Sequence, residues 1–155
     1  MYILIYIVLP FFTVHKDHYE NIYCVVKGKK EFILHPPTDA AWIPYETYKI
    51  GAYRFENKRC TIKDINQQIK WIPVDPLKPD YEKYPLYKKV KTFHFVVEEG
   101  DALYLPSLWF HHVRQSHSCI AVNYWYDMDF DVKYCYFKFL EKIGELCNKS
   151  KDYTD

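Results

Sequence analysis

Three side chains of this 155-residue chain have the types and spacing to hold a metal ion: His15, Asp17 and either His111 or His112. Residues two apart in a β-strand face the same side, so His15 and Asp17 would project an imidazole and a carboxylate together. A third ligand, brought across the interior of a barrel, would complete a two-histidine, one-carboxylate site. Such sites hold non-haem Fe(II) and leave positions open for a co-substrate and O₂.

The H-x-D pattern at residues 15–17 is weak evidence alone, because half-solvated strands also carry histidine and aspartate as ordinary exposed side chains. A second segment strengthens it. Residues 100–101 predict a tight turn, residues 102–105 (ALYL) a strand and Pro106 a break, and His111 follows five positions later. This order of turn, strand, break and histidine argues against coincidence.

The elements that must position these residues are mainly strands. Residues 13–26 predict extended structure, residues 27–29 a turn, and residues 30–35 (KEFILH) the returning strand of a hairpin. Residues 92–97 (TFHFVV) and 119–126 (CIAVNYWY) predict two more strands. An aromatic content of 19% suits a β-rich core.

Two segments depart from this pattern. Residues 38–90 are rich in proline and predict a long functional insert that crosses the surface with only short strand patches, such as residues 52–55. From 130 to 147 the apolar spacing becomes that of a helix, with Asp127 or Asp129 as its cap. Its first turns are apolar nearly all round, which favours a buried helix and makes a second copy of the chain a candidate partner.

Composition argues against several function classes. The formal net charge is +1, from 21 basic and 20 acidic residues, so we expect neither nucleic acid nor an anionic membrane as a partner. Five cysteines without a C-x-x-C pair argue against a zinc site and a disulfide framework, and favour the cytosol or nucleus. The apolar residues 1–12 are too few for a spanning helix, which needs roughly 20, and lack the features of a signal peptide.

The segments HKDHYENIYCVVKGKKEFILHPP and LYLPSLWFHHVRQSHSCIAVNYWYDM resemble the JmjC/cupin family of Fe(II)- and 2-oxoglutarate-dependent oxygenases, and the insert piece WIPVDPLKPDYEKYP adds to the match. The resemblance runs from Thr13 to about Leu140. It implies a mainly β fold, with a double-stranded β-helix (jelly-roll or cupin) barrel over residues 13–128. The insert at 38–90 lies within this barrel, and a helix at 129–150 follows it as a candidate dimerisation element.

The resemblance also assigns residues. His15, Asp17 and His111 fall on the iron ligands, because the family's distal ligand directly follows an aromatic pair; His112 is the alternative. Lys30 falls where the subfamily keeps a lysine that binds the distal carboxylate of 2-oxoglutarate. The alternative for Lys30 is a place in an ordinary basic turn.

Further contacts with 2-oxoglutarate are implied at Asn21, Tyr23 and Asn123, which would bind it directly or order the groups around the iron. For Tyr23 a role in the core is an equal alternative. Family members often place a threonine three positions before the first ligand to reach the same carboxylate. Phe12 occupies that position here, and Thr13 follows it.

The implied reaction uses O₂ to convert 2-oxoglutarate to succinate and CO₂ and to hydroxylate an aliphatic C–H bond of a second substrate. The resemblance within the family implies lysyl hydroxylation of a translation-associated GTP-binding protein, with lysyl demethylation as an alternative. Two alternatives use other chemistry. One is a non-catalytic cupin-like module that dimerises through its helix, and the other is a cupin isomerase or dioxygenase without 2-oxoglutarate. A role of Lys30 in binding 2-oxoglutarate would distinguish the oxygenase from this last alternative.

Only 14 residues precede His15, whereas family members carry a substantial N-terminal portion. We expect a truncated product in which residues 1–12 are foreign to the domain, in preference to a divergent compact form. A truncated barrel would expose sheet edges and apolar surface, and its turnover would be weak or absent.

Overall fold

The computed structural model describes residues 2–5, 13–56, 58–115 and 118–149. In chain order its strands are β1 (Tyr2–Ile5), β2 (Tyr19–Lys27), β3 (Lys30–His35), β4 (Glu46–Glu56), β5 (Arg59–Trp71), β6 (Phe93–Val97), β7 (Ala102–Leu105), β8 (Phe110–Gln115) and β9 (Ile120–Asp127). The helix α1 (Val132–Lys149) ends the described chain, and short 3-10 helices span Pro37–Trp42 and Pro85–Lys89.

The strands form two antiparallel sheets and a separate hairpin. The first sheet has the order β1-β9-β2-β7, the second has the order β6-β3-β8, and β4 pairs with β5. The predicted mainly β fold of cupin or jelly-roll type with a C-terminal helix is confirmed. Of residues 1–12, only 2–5 are described, and they pair with β9 at its edge; the rest of that segment lies outside the described residues.

The two sheets pack face to face through alternate residues of their strands. Tyr23 and Val25 of β2 and Phe32 and Leu34 of β3 are buried in one cluster, with further residues from β6, β7 and β9. Fully burying an aromatic or branched side chain of this size contributes about 1.5–3 kcal/mol. Because residues two apart share a face, this packing fixes the interior side of each strand.

The prediction of a hairpin across residues 27–29 is wrong, because β2 and β3 do not pair with each other. β2 pairs with β7 and β9, whereas β3 pairs with β6 and β8. The turn, with Gly28 at φ 79°, therefore carries the chain from one sheet to the other. Each strand has an interior-facing row of buried side chains, and stacking the strands lets the two rows bury each other, which side-by-side pairing would not achieve.

The expected surface insert is also more ordered than its sequence suggested. In place of short patches, β4 and β5 form a hairpin of 11 and 13 residues whose side chains are largely exposed. The segments that flank this hairpin enter the core, because Ile43, Val74 and Tyr87 are buried together with Val14. The insert is thus a projecting hairpin on a base that belongs to the domain.

The C-terminal helix begins later than predicted and is not buried all round. Its cap is Asp131, not Asp127 or Asp129: the Asp131 carboxylate accepts the backbone N–H of Lys133 at 2.9 Å. Phe137 is buried on one side of α1, while Phe139 keeps 62% of its surface exposed on another. Among the described residues, no helix combines the length and apolarity needed to cross a membrane.

Candidate metal centre

The two candidate histidine ligands lie opposite each other in the backbone. His15 forms an isolated antiparallel bridge with His111, in which each backbone N–H donates to the other's carbonyl, at 3.0 and 2.7 Å. The N–H of Leu108 also donates to the carbonyl of Asp17 at 2.9 Å. These three bonds attach the H-x-D segment to the start of β8, so the distant parts of the chain are joined at the site itself.

Ligand atoms of His15, Asp17 and His111 all lie within 4.8 Å of one another. The His15 and His111 rings have centroids 4.2 Å apart, and His111 Nε2 lies 3.7 Å from Asp17 Oδ2. Small side-chain rotations would bring two nitrogens and one oxygen to the roughly 2.0–2.2 Å that imidazole and carboxylate ligands take around a divalent ion. The structure therefore brings together the three residues that the sequence singled out.

Both imidazoles are held in the same tautomer. Nδ1 of His15 lies 3.1 Å from the Thr13 carbonyl, and Nδ1 of His111 lies 3.0 Å from the Trp109 carbonyl. A carbonyl can only accept, so each Nδ1 carries the proton and each Nε2 is the nitrogen whose lone pair a metal ion would bind. Fixing the second ring nitrogen in this way is how proteins orient a histidine toward a metal.

His111 is also the histidine whose direction suits the site. In the pairing of β3 with β8, His111 lies opposite Leu34, which belongs to the interior cluster, whereas His112 lies opposite Ile33. Cross-strand partners project to the same face of a sheet, so His112 points to the other side. The alternation of side chains along β8 therefore distinguishes His111 from His112 as the third metal ligand, a choice that spacing alone left open.

Burial keeps the ring of His111 neutral. Loss of hydration and, second to it, the neighbouring His15 lower the pKa of His111 to about 4, although the hydrogen bond to the Trp109 carbonyl and the charge of Asp17 oppose them. An imidazole must be neutral to bind a metal, so burial prepares His111 as a ligand at neutral pH.

Lys30 projects into the interior between the sheets. Lys30 lies on the same face of β3 as Phe32 and Leu34, and it is only 5% exposed. Its Nζ lies 5.3 Å from the centre of the Tyr23 ring on the facing sheet. Burial lowers the pKa of Lys30. A buried ammonium inside the barrel is costly, and a bound carboxylate would offset that cost.

Asn21 and Asn123 line the interior wall on β2 and β9, each 1% exposed, and Asn123 lies opposite Tyr23. Within the described residues, both polar atoms of the Asn21 side chain, Nδ2 of Asn123 and Nε1 of Trp125 have no hydrogen-bond partner. Buried polar atoms normally have one. This polar wall and Lys30 fit a small dicarboxylate such as 2-oxoglutarate, just as the three ligands fit Fe(II).

Thr13 contributes to the site in a way the sequence did not indicate. Its carbonyl holds His15, and its hydroxyl accepts a hydrogen bond from the indole N–H of Trp71. Trp71 ends β5 and lies nearly parallel to the His15 ring, with centroids 6.3 Å apart. A contact between Thr13 and 2-oxoglutarate stays a prediction, whereas its contact with Trp71 ties the hairpin to the metal centre.

Glu20 is a second residue that sequence reasoning missed. Its carboxylate accepts hydrogen bonds from the hydroxyl of Tyr104 at 2.6 Å and from the hydroxyl and N–H of Ser107 at 2.8 and 3.1 Å. Burial raises the pKa of Glu20, but these bonds outweigh it and leave the pKa below its usual value. They hold the loop in which Leu108 adopts the strained φ of 66° just before β8.

Two facing antiparallel sheets with a cluster of two histidines and one carboxylate, of which His111 is buried and the others half-buried, define the class of cupin-type metal-binding proteins. The chain belongs to the cupin-like domain family, which it matches over residues 11–132. The fold, the cluster and the family thus agree.

Several curated relatives of this chain are JmjC proteins. It is 48% identical to the Bifunctional peptidase and (3S)-lysyl hydroxylase JMJD7 of Homo sapiens, over 84% of this chain and 42% of the relative. It is 44% identical to the Lysine-specific demethylase JMJ32 of Arabidopsis thaliana, over 83% and 42%. It is 38% identical to JmjC domain-containing protein E of Dictyostelium discoideum, over 90% and 46%. The chain therefore spans less than half the length of these relatives.

Proposed function

We propose that this chain carries the iron- and 2-oxoglutarate-binding centre of an oxygenase that hydroxylates a lysyl side chain of a protein. The observation that carries the proposal is the meeting of His15, Asp17 and His111 within 4.8 Å. Their fixed tautomers and the buried Lys30 support it. The name of the human relative, which includes a (3S)-lysyl hydroxylase, supports the type of reaction.

Bound Fe(II) would supply the activation of O₂ that an attack on an aliphatic C–H bond requires. The protein's own residues would do the rest of the work. The three ligands would hold the ion on one face, and Lys30 would pair with the distal carboxylate of 2-oxoglutarate. Asn21 and Asn123 would hydrogen-bond the polar parts of the same molecule, and the packed sheets would exclude water.

Anaerobic titration of the purified chain with Fe(II) and 2-oxoglutarate tests this proposal directly. We expect one ion and one 2-oxoglutarate for each chain, and succinate once O₂ is admitted. His15→Ala is the matched variant, and it should abolish the binding of Fe(II), the binding of 2-oxoglutarate and the formation of succinate. Folded wild-type protein that binds neither ligand, or a His15→Ala variant with unchanged properties, would instead favour a non-catalytic cupin-like module.

The protein substrate we propose is a translation-associated GTP-binding protein. Incubation with such a protein and mass spectrometry should reveal one added oxygen atom on a lysine. The name of the Arabidopsis relative favours a second candidate, demethylation. Release of formaldehyde from a methyl-lysyl peptide, without hydroxylation of the unmodified peptide, would decide for demethylation.

A homodimer through α1 is a further part of the proposal. Val132, Tyr136, Phe139 and Leu146 are each 58–65% exposed and follow one another at intervals of four, three and seven residues. These intervals are the spacing of the apolar residues through which two helices pack against each other in a coiled coil. Sedimentation should detect a dimer that Phe139→Glu dissociates and that Tyr53→Glu, on the β4–β5 hairpin, does not. A monomeric wild type would refute this part.

We propose the cytosol or nucleus as the location of the protein. Its five scattered cysteines contain no C-x-x-C pair and no disulfide-framework spacing, a pattern that favours a reducing compartment. Microscopy of the tagged protein tests this, and retention in a secretory compartment would contradict it.

A further inference from the structure

Lys16 stands between the two ligands of the H-x-D segment, and its side chain runs away from the metal centre into the body of the protein. Its Nζ lies 3.0 Å from Glu141 Oε1 on α1, and both side chains are nearly enclosed, at 15% and 14% exposure. Nζ also donates to the Tyr45 hydroxyl at 3.2 Å. The charged end of Lys16 thus contacts α1 and the loop that precedes β4.

Aromatic rings surround the same ammonium group. Nζ of Lys16 lies 5.5, 5.8 and 5.3 Å from the ring centres of Tyr45, Phe110 and Phe137. Such distances give favourable cation–π contact, which strengthens when the cation is desolvated. The lysine is therefore held by its surroundings in one position, and it cannot exchange freely with solvent partners.

The carboxylate that meets Lys16 is itself shared. Glu141 also accepts from Lys138 at 2.6 Å and from the Tyr45 hydroxyl at 3.3 Å. Burial raises the pKa of Glu141, but the bonds and charges of Lys138 and Lys16 outweigh burial and lower the pKa. Glu141 thus remains charged at neutral pH and supplies a fixed anchor on α1.

The H-x-D segment needs such an anchor because it lies outside a regular strand. β2 begins only at Tyr19, and the segment is attached to β8 and its preceding loop by the three backbone bonds already described. Those bonds hold it from one side. The Lys16 side chain adds contacts to α1 and to Tyr45 at the residue between His15 and Asp17, where a small shift of the peptide would move both ligands.

We propose that Lys16 is a positioning residue of the metal centre, which sets the separation of His15 and Asp17 by anchoring their peptide to Glu141 of α1. This inference rests on the proposed function and adds to it a dependence on the C-terminal helix. Partners that orient metal ligands typically contribute 10–100-fold in metal affinity, and we expect a loss of about tenfold on removing the Lys16 charge.

The test measures Co(II) binding to the full chain, well below the unfolding temperature of every variant, with circular dichroism as a check of folding. Lys16→Met keeps the aliphatic stem among the aromatic rings and removes the charge. We expect the Co(II) dissociation constant to rise by about tenfold and the visible spectrum of bound Co(II) to change. Lys16→Arg should restore most of the affinity, and Glu141→Gln should reproduce the loss.

Lys142→Met is the matched control, because Lys142 is exposed on the same helix and pairs with Glu145. It should leave Co(II) affinity unchanged. A Lys16→Met variant that unfolds at lower temperature but binds Co(II) with wild-type affinity and spectrum would overturn the inference and leave the proposed function standing. Wild-type protein that binds no Co(II) would overturn both.

Discussion

His15 and His111 are directly opposed residues of one antiparallel bridge, so the same pair of backbone hydrogen bonds fixes both imidazoles. The bridge also fixes the face on which each side chain lies. The adjacent His112 is placed opposite Ile33, on the other side of β8. Two neighbouring histidines are therefore structurally unequal, and this difference can be tested.

His111→Ala should weaken Fe(II) or Co(II) binding by more than about 100-fold, beyond the range for residues that merely orient ligands. His112→Ala should weaken it by at most about tenfold, because its ring lies on the other face. Metal titration monitored by absorbance measures both. Equal losses in the two variants would contradict the assignment by strand parity.

Lys30→Met should have opposite effects on stability and on 2-oxoglutarate binding. Burial lowers the pKa of Lys30 below 10.5, so below that pH the unfolded chain holds the proton more tightly than the folded protein. At neutral pH the charge therefore costs stability. Removing it should raise the free energy of unfolding of the ligand-free protein by on the order of 1 kcal/mol.

The same Lys30→Met variant should lose 2-oxoglutarate affinity by on the order of 100-fold, since a carboxylate would lose its charged partner. Calorimetry with 2-oxoglutarate and thermal unfolding without it give the two results. Unchanged 2-oxoglutarate affinity would show that Lys30 is not the partner of its distal carboxylate, and wild-type protein that binds no 2-oxoglutarate would favour a cupin dioxygenase or isomerase without it.

Protonation of His35 should contribute to the pH dependence of the free energy of unfolding. His35 is fully buried and accepts a hydrogen bond from the Tyr87 hydroxyl at 2.7 Å. Burial lowers the pKa of His35, partly offset by the Lys91 carbonyl and Asp39. Below pH 6.5 the unfolded chain therefore binds a proton that the folded protein resists. The free energy of unfolding should therefore decrease as the pH is lowered below 6.5, by up to about 1.4 kcal/mol per pH unit for this group.

Urea unfolding between pH 7.5 and 5 measures this slope. His35→Gln should make it shallower, and Tyr87→Phe should keep the slope while lowering stability at every pH by about 1 kcal/mol. An unchanged slope in His35→Gln would show that another group is responsible.

Gly144→Ala should destabilise the docking of α1, although alanine favours a helix over glycine. A Cβ at Gly144 would lie 2.8 Å from the carbonyl oxygen and 2.9 Å from Cα of Ala41, in the first 3-10 helix. The propensity gain is about 1 kcal/mol, but overpacking against backbone costs typically 1–3 kcal/mol. Thermal unfolding should detect a net loss, whereas Cys135→Ala, at an exposed position of α1, should be nearly neutral. A Gly144→Ala variant more stable than wild type would contradict the close approach.

Local patterns were sufficient to predict several parts of the molecule. The strands around 93–97, 102–105 and 120–127 follow from short apolar runs bounded by turn and break signals. Two-residue periodicity also predicted that His15 and Asp17 would lie together, although the strand expected from residue 13 begins only at Tyr19 and His15 forms only an isolated bridge. These features depend on neighbours in the sequence, and alternation and turn residues record them directly.

Other parts depended on contacts between distant segments. Nothing local in KGK at 27–29 distinguishes a hairpin from a crossing between two sheets; the outcome depends on which partners offer each strand more buried surface. Glu20, Trp71 and Lys16 have no sequence signal, because their partners Ser107, Thr13 and Glu141 come from other elements.

The sequence by itself determined the mainly β elements and the candidate metal ligands, two imidazoles and a carboxylate, and its resemblance to a known family added Lys30 and the expectation of an iron and 2-oxoglutarate site. Only the tertiary structure decided which histidine faces the interior, which side chains hold the ligands in place, and how α1 reaches the H-x-D segment. The physical reason is that strand parity is a property of adjacent residues, whereas register, sheet stacking and buried ion pairs are settled by long-range competition for burial and hydrogen bonds.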